Sequence, residues 1–586
     1  MKRSYPLGYV AAAISLSLLA GCAHNPKQYP ITERSVPFTD MDASQAKVAP
    51  PVTATVTGER IARARSEPQN WLTYYGAYDG QRFSALDEIT SGNVKTMKAA
   101  WTFQAGVIGL QAAPATYAME AAPIVVDGVM FVTGWDGYLW AIDAAKGKVL
   151  WRYRALIPLD TPLCCGNVNR GAAVAQGKVY MTTPHGHIVA VDATNGALVW
   201  ERAFADPRAG ESATVAPLVV KNMVIVGSSG AEYGVRGHID AFDLQTGAPL
   251  WRHYNVPKPG EPGAETWQTS EAWARGGGTA WITGTYDPEL DLLYWSTGNP
   301  SPDFDGAARP GDNLYTNSVL ALDPDDGALR WHYQFTPHDL WDYDGVNENI
   351  LFDKEGRKLL AHFDKNGYLY VLDRTDGSLV RATKFWPGET TWGDVHPTTG
   401  KVTVKKTPTP EGTLICPGPA GAKEWPHASY SPQTGLLYTP VVETCAILKL
   451  IPSEFREGMG YWGGDAIIKP EHVRGGHVKA FDPLTGREVW TWRNRHPMMA
   501  SMLTTAGNLL FTGLPTGEFV AFDARTGEML WQYQTGSGIH SSPVTYSVGG
   551  KQYVAVLSGW GGWLEGFAPE LYAATRGSSI TVFAID

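Results

Sequence analysis

Short apolar runs recur along this chain, and each ends on an aspartate followed at fixed distances by glycine and tryptophan. Ala141-Ile-Asp143 leads to Gly147 and Trp151, Ala190-Val-Asp192 to Gly196 and Trp200, and Ala241-Phe-Asp243 to Gly247 and Trp251. The same spacing returns at Asp323, Gly327 and Trp331, at Asp482, Gly486 and Trp490, and at Asp523, Gly527 and Trp531. A further copy, Val371-Leu-Asp373 with Gly377, carries Arg381 at the tryptophan position. Each copy predicts strand, tight turn, strand, with the Asp and Gly shaping the turn and the next strand opening near the Trp. One such hairpin cannot bury its own faces. Repeated radially as four-stranded blades, the hairpins share a continuous core, and a repeating Trp packs between neighbours.

The two ends of the pattern are complementary. The last residues, Ala584-Ile-Asp586, are the first half of a copy, and Trp101 in Ala-Ala-Trp-Thr-Phe is a second half without a preceding Asp-turn. Joined as one split blade and added to the seven copies, they predict an all-β, eight-bladed propeller over residues 71–586, with one blade plus insertions between Asp373 and Asp482.

Composition narrows the function. A net charge of -10 and a pI near 5.8 argue against nucleic acid as a partner, because phosphate binding needs a basic face. Lys2 and Arg3 precede an apolar stretch, Leu7 to Ala20, that ends in Leu19-Ala20-Gly21-Cys22. This is the form of an export signal, too short to span a bilayer. Its last residues resemble a bacterial lipoprotein signal, with Cys22 as the lipidated first mature residue. The expected location is periplasmic, lipid-anchored at a membrane surface, the outer membrane before the inner. Residues 23–70 are Pro-, Ala- and Thr-rich and read as a tether.

Candidate chemistry centres on Trp341-Asp342-Tyr-Asp344. In an extended backbone the two carboxylates would share a side. Two like charges that close need a cation or a proton, so the pair reads either as a solvated loop or as a metal-plus-base site. Glu232 in Gly-Ser-Ser-Gly-Ala-Glu232 and Asn299 in Ser-Thr-Gly-Asn299-Pro interrupt the blade rhythm and offer further oxygens, together the ligand set of a hard cation. If all converge, three carboxylates suit a trivalent ion better than a divalent one. Four cysteines remain besides Cys22. Cys164 and Cys165 are adjacent, closer than ordinary disulfide geometry allows, so spacing alone favours pairing each with one of Cys416 and Cys445.

The motifs Cys164-Cys165-x4-Arg170-Gly, Gly-Ser-Ser-Gly-Ala-Glu232, Thr-Gly-Asn299-Pro, Arg309-Pro-Gly-Asp312-Asn and Trp-Asp342-Tyr occur in an order that resembles the pyrroloquinoline quinone-dependent alcohol dehydrogenases of the periplasmic methanol and ethanol type. The resemblance covers roughly residues 70–586. It implies an enzyme oxidising a primary alcohol to an aldehyde, with pyrroloquinoline quinone in the central funnel. It reverses the cysteine reading: Cys164 would join Cys165 over one face of the quinone, and Cys416 would join Cys445. Trp281 would stack on the other face, and Glu120, Arg170, Thr214, Ser229 and Lys365 would hold the cofactor's polar groups. Glu232, Asn299 and Asp342 would bind the metal, with Asp342 also the catalytic base.

Asp344 matches the branch that uses a lanthanide, with calcium as the alternative ion. Two positions depart from the family pattern: Glu424 stands where an Asn usually contacts the quinone, and Met499 where a Trp is usual. No Cys-x-x-Cys-His occurs, so no haem is attached within this sequence, and the resemblance implies a separate c-type cytochrome as electron acceptor. A homodimer is compatible with it. Two other readings share the blade pattern: a lipid-anchored scaffold for outer-membrane protein assembly, and a polyol or sugar dehydrogenase on the same cofactor.

Overall fold

The computed structural model describes residues 56–106, 118–158, 161–163, 165–269, 271–561 and 577–586. The signal, Cys22, residues 23–55 and Cys164 lie outside them.

The protein is an all-β propeller. Among the described residues eight sheets carry four or five strands each. In the first, Ile124–Val126, Val129–Thr133, Tyr138–Asp143 and Val149–Arg154 run antiparallel in chain order. The others begin at Ala173, Leu218, Thr285, Ile350, Ser429, Leu503 and Val544. In the last of these Lys98–Gln104 pairs with Ser579–Ala584, so the two ends of the pattern meet in one sheet. The interval between Asp373 and Asp482 adds two smaller sheets: Gly393–Val395 with Val402–Val404, and Thr413–Ile415 with Ala446–Leu450 and Gly464–Ile467.

The repeated residues form the seams between sheets. Asp143 accepts from the backbone amides of Ala145 and Lys146, while Gly147 turns at φ +70°. A Cβ on Gly147 would stand 2.6 Å from the Trp101 ring, so only glycine lets the indole lie on the turn. Six of the indoles then reach a backbone carbonyl at the following sheet: Trp101 to Ala144, Trp151 to Ala193, Trp200 to Leu244, Trp251 to Pro324, Trp490 to Ala524 and Trp531 to Met97. Trp331 packs on Gly377. Where Arg381 replaces the tryptophan, its Nε donates to Leu484 O at 3.0 Å, so the guanidinium makes the bond an indole would make. Because Trp531 of the seventh sheet reaches Met97 and Trp101 reaches the first, the succession of seams closes on itself.

The amino-terminal boundary differs from the one drawn on composition. Val56, Ile61 and Ala64 are buried in the core of the second and third sheets, and the helix Gly58–Ala62 is capped by Thr57. The packed body therefore reaches back at least to Val56; three spaced apolar residues in a polar stretch were too few to read as a packed element. Residues 71–84 run across the first strands of the sheets. Trp71 bridges Val125, Tyr78 and Tyr75 donate to Val219 O and Thr283 O, and Gln81 donates to Leu351 O. The fully buried Arg82 donates to Met502 O and Pro543 O. One segment thus ties together sheets hundreds of residues apart and floors the place where their first strands begin.

Candidate functional site

The site follows from this architecture. The approach to each sheet's first strand delivers a side chain to the same region: Glu120, Arg170, Thr214, Trp281, Trp425, Met499 and His540 each stand three or four residues ahead of such a strand, and Asp344 stands six ahead. Residues spread over more than 400 positions become neighbours because they hold equivalent places in a repeat.

The cofactor-type residues form one group. Arg170 pairs with the buried Glu120 at 3.0 Å and donates to Thr214, whose hydroxyl is 3.4 Å from that of Ser229. The Arg170 guanidinium lies 4.8 Å from the ring centroids of both Trp281 and Trp425, a cation–π sandwich that fixes a charge beside two aromatic faces. Burial first, offset by Arg170, pushes the Glu120 carboxyl up to about 7. Cys165 is disulfide-bonded, and its partner is not among the described residues. Cys416 is bonded to Cys445, which excludes the pairing that spacing alone favoured, each of Cys164 and Cys165 with one of that pair. This bridge closes a separation of 29 residues, a constraint worth roughly 2–4 kcal/mol.

The acidic residues form a second group around Lys365. Its ammonium is 2.9 Å from Asp344 Oδ2, 3.8 Å from Asp342 Oδ1 and 3.8 Å from Glu424 Oε1. Asp344 Oδ1 accepts from the Asn299 amide at 3.1 Å and from the Trp281 indole at 3.4 Å, which joins the two groups. Asp342 and Asp344 reach this point without a strand. Residues 341–347 are loop, and Asp342 sits in the left-handed region at φ +62°, so convergence arises from a bent loop rather than from strand alternation. Buried Asp339 holds the loop by accepting from the amides of Trp341 and Tyr343. An extended pair of carboxylates gives no sign of such a bend.

The electrostatics are lopsided. Burial first, then Asp344, pushes Glu232 up to about 7. Burial pushes Asp342 well above the carboxylate range despite Lys365, and Asp303 moves the same way through burial and the field of Glu232 and Asp344. Asp342 and Asp344, working against burial, hold Lys365 above its usual value. Lys365 faces four acids, Glu232, Asp342, Asp344 and Glu424, while Asp303 feels Glu232 and Asp344 and is offset by Arg309. Glu424, the first departure from the family pattern, has partners in place: the Trp425 amide donates to its Oε2 at 2.6 Å and the Lys365 ammonium lies 3.8 Å from its Oε1. Met499, the second, is buried with Ala420, Val442 and Trp560.

Sequence reading missed three of these residues. Asp303 accepts from Asn299 Nδ2 at 3.0 Å and so orients that amide; the run Asn299-Pro-Ser-Pro-Asp303 was the only hint. The rings of Trp425 and His540 lie 4.9 Å apart, each residue four ahead of a sheet's first strand, a place the hairpin motif does not locate. Below Trp425, Glu348 accepts from Lys423 at 2.8 Å, and His427 shares a bond with Tyr74 of the floor.

The family description "PQQ: Glucose/ethanol/alcohol dehydrogenase, beta-propeller domain" matches residues 71–387 and 493–554. Quinoprotein alcohol dehydrogenase PedH of Pseudomonas putida is 37% identical over 95% of this chain and 92% of its own. The lanthanide-dependent methanol dehydrogenase of Methylorubrum extorquens is 34% identical over 90% and 93%. Among solved structures, a europium-containing methanol dehydrogenase superposes with a TM-score of 0.83 at 34% identity, over 90% of this chain and 100% of that one. With a fold, a converged residue set and whole-length relatives in agreement, the chain belongs to the pyrroloquinoline quinone-dependent alcohol dehydrogenases and is an oxidoreductase.

Proposed function

We propose that this oxidoreductase converts a primary alcohol to an aldehyde, with pyrroloquinoline quinone beside Trp281 and a lanthanide ion held by Glu232, Asn299, Asp342 and Asp344. The eight large sheets are its eight blades, and the Trp-to-turn bonds are the docking that joins them. The observation that carries the reading is the convergence of four carboxylates on Lys365, with Asn299 joined to them through Asp344. Such an excess of buried negative charge suits a highly charged cation, and Glu232 Oε2 is buried with no protein partner. The other group fits an anionic planar ring: Arg170 Nε and the Trp425 indole N–H are buried and unpartnered, beside the aromatic face of Trp281.

When bound, the quinone supplies the two-electron acceptor and the cation supplies Lewis acidity. The chain's own residues do the rest. Asp342, whose carboxylate stands apart from Lys365 at 3.8 Å, takes the alcohol's hydroxyl proton. Asp303 holds the Asn299 amide so that its oxygen is free for the ion. Arg170, Thr214, Ser229 and Lys365 orient the cofactor, while Cys164 and Cys165 form its lid.

Electrons leave to a c-type cytochrome, and Cys22 anchors the mature chain at the periplasmic face of the outer membrane. Among the described residues no helix is long and apolar enough to cross a membrane. Reconstitution of the cofactor-free chain with pyrroloquinoline quinone and either lanthanum or calcium, followed by dye reduction across an alcohol series, tests the reading. Turnover of primary alcohols with lanthanum supports it; turnover with calcium alone removes the role of Asp344, and none with either ion removes the reading.

A further inference from the structure

A second cluster of ligand-type residues lies in the second sheet, outside the acidic group. His185-Gly186-His187 turns from Lys178–Thr183 into His187–Asp192, and Glu201 stands on the next strand, Leu198–Ala203. Glu201 is opposite Val189 and Ala203 opposite His187, so Glu201 and His187 are diagonal neighbours on one face of the sheet. One ligand atom from each of His185, His187 and Glu201 lies within 4.8 Å of the other two. His187 Nδ1 is 2.7 Å from Glu201 Oε1, and the two imidazole centroids are 4.2 Å apart.

The turn is fixed before any ligand arrives. Gly186 adopts φ +81°, and a Cβ there would meet Ala205 at 2.8 Å. Its amide donates to Thr183 O, and the His187 amide donates to the Thr183 hydroxyl. His185 is 7% exposed, yet its Nδ1 has no hydrogen-bond partner. An ordinary core histidine satisfies its ring nitrogens, because an unpaired buried polar atom costs about 1–3 kcal/mol.

We propose that His185, His187 and Glu201 bind a borderline-soft divalent cation of the zinc class, separately from the all-oxygen acidic cluster. Two imidazoles and one carboxylate are the donor set of such ions, whereas hard cations prefer oxygen alone. Partial exposure of His187 and Glu201 leaves a coordination position open to water. Asn169 donates to Thr182 O at the base of this turn, so the cluster hangs on the segment that delivers Arg170.

The test uses tag-free holoenzyme with its hard-cation site already loaded, titrated with cobalt(II) by visible absorption and then with zinc in competition. One equivalent should bind with the absorption of a nitrogen-ligated ion, and zinc should displace it. Glu201→Gln and His187→Asn should each weaken binding by more than about tenfold, the least that disturbing a metal site's supporting partners costs, while alcohol turnover and far-ultraviolet circular dichroism stay unchanged. The proposal is overturned if no cobalt binds, or if both variants bind as the parent does.

Discussion

The seams between sheets and the cluster around Lys365 are both rich in aspartate, mostly half-buried at the seams, and they treat it in opposite ways. At the seams the carboxylates are satisfied by the chain: hydrogen bonds from Thr246 hold Asp243 below the usual range, and Arg330 does the same for Asp323. Around Lys365, burial drives Glu232, Asp303, Asp342 and Glu424 upward. Each seam carboxylate supports the local turn it sits in. The cluster conflicts with local stability, and such conflict collects at functional sites.

The comparison breaks most sharply at the residue with the largest proposed role. Asp342→Asn should lower turnover by about 10²–10⁴-fold, the range expected of a lost general base, with melting temperature held or raised; steady-state kinetics beside calorimetry reads both. Trp200→Ala tests the other side. Trp200 is buried and bonded to Leu244 O, and its removal should cost about 3–5 kcal/mol of stability, while cation affinity at the distant cluster is unchanged. Chemical denaturation and cation titration of the same variant check it.

A pH series sharpens the contrast further. Glu120 and Glu232 move from 4.5 to about 7 on folding, so between those values the folded chain binds protons that the unfolded chain releases. Their contribution to the cation-free chain is intact below pH 4.5 and is lost as pH rises toward 7. A cation takes the ionised form, so the stabilisation it adds should be larger at pH 8 than at pH 5. The smallest effect should be a difference of sign. Asp303→Asn should raise the melting temperature of the cation-free chain by about 1–3 °C, and Asp243→Asn should lower it by about as much; scanning calorimetry on both decides.

The legibility of the sequence divides along the same line. The seams were readable because one aspartate, one glycine and one tryptophan recur at fixed spacing, and turn chemistry is local. Even the exception was visible, since Arg381 stood out by breaking the pattern, although its bond to Leu484 could not be foreseen. The site was readable mainly through motifs that resemble a known family. Spacing alone left the geometry of Asp342 and Asp344 open, because the left-handed bend at Asp342 and the brace from Asp339 depend on residues brought up by folding. Asp303, Trp425 and His540 stayed hidden, each a single polar or aromatic residue in a loop whose position only the repeat reveals. Glu424 was readable only as a departure from the family pattern, and its partners, Lys365 and the Trp425 amide, come from the fold.

The central claim is that the carboxylates around Lys365 are gathered to hold a highly charged cation. Isothermal titration of the cation-free chain with lanthanum and with calcium, repeated on Asp344→Ala, tests it most directly. One lanthanum should bind per chain, more tightly than calcium, and the preference should vanish in the variant. Absence of lanthanum binding, or a preference that survives the loss of Asp344, would contradict the account.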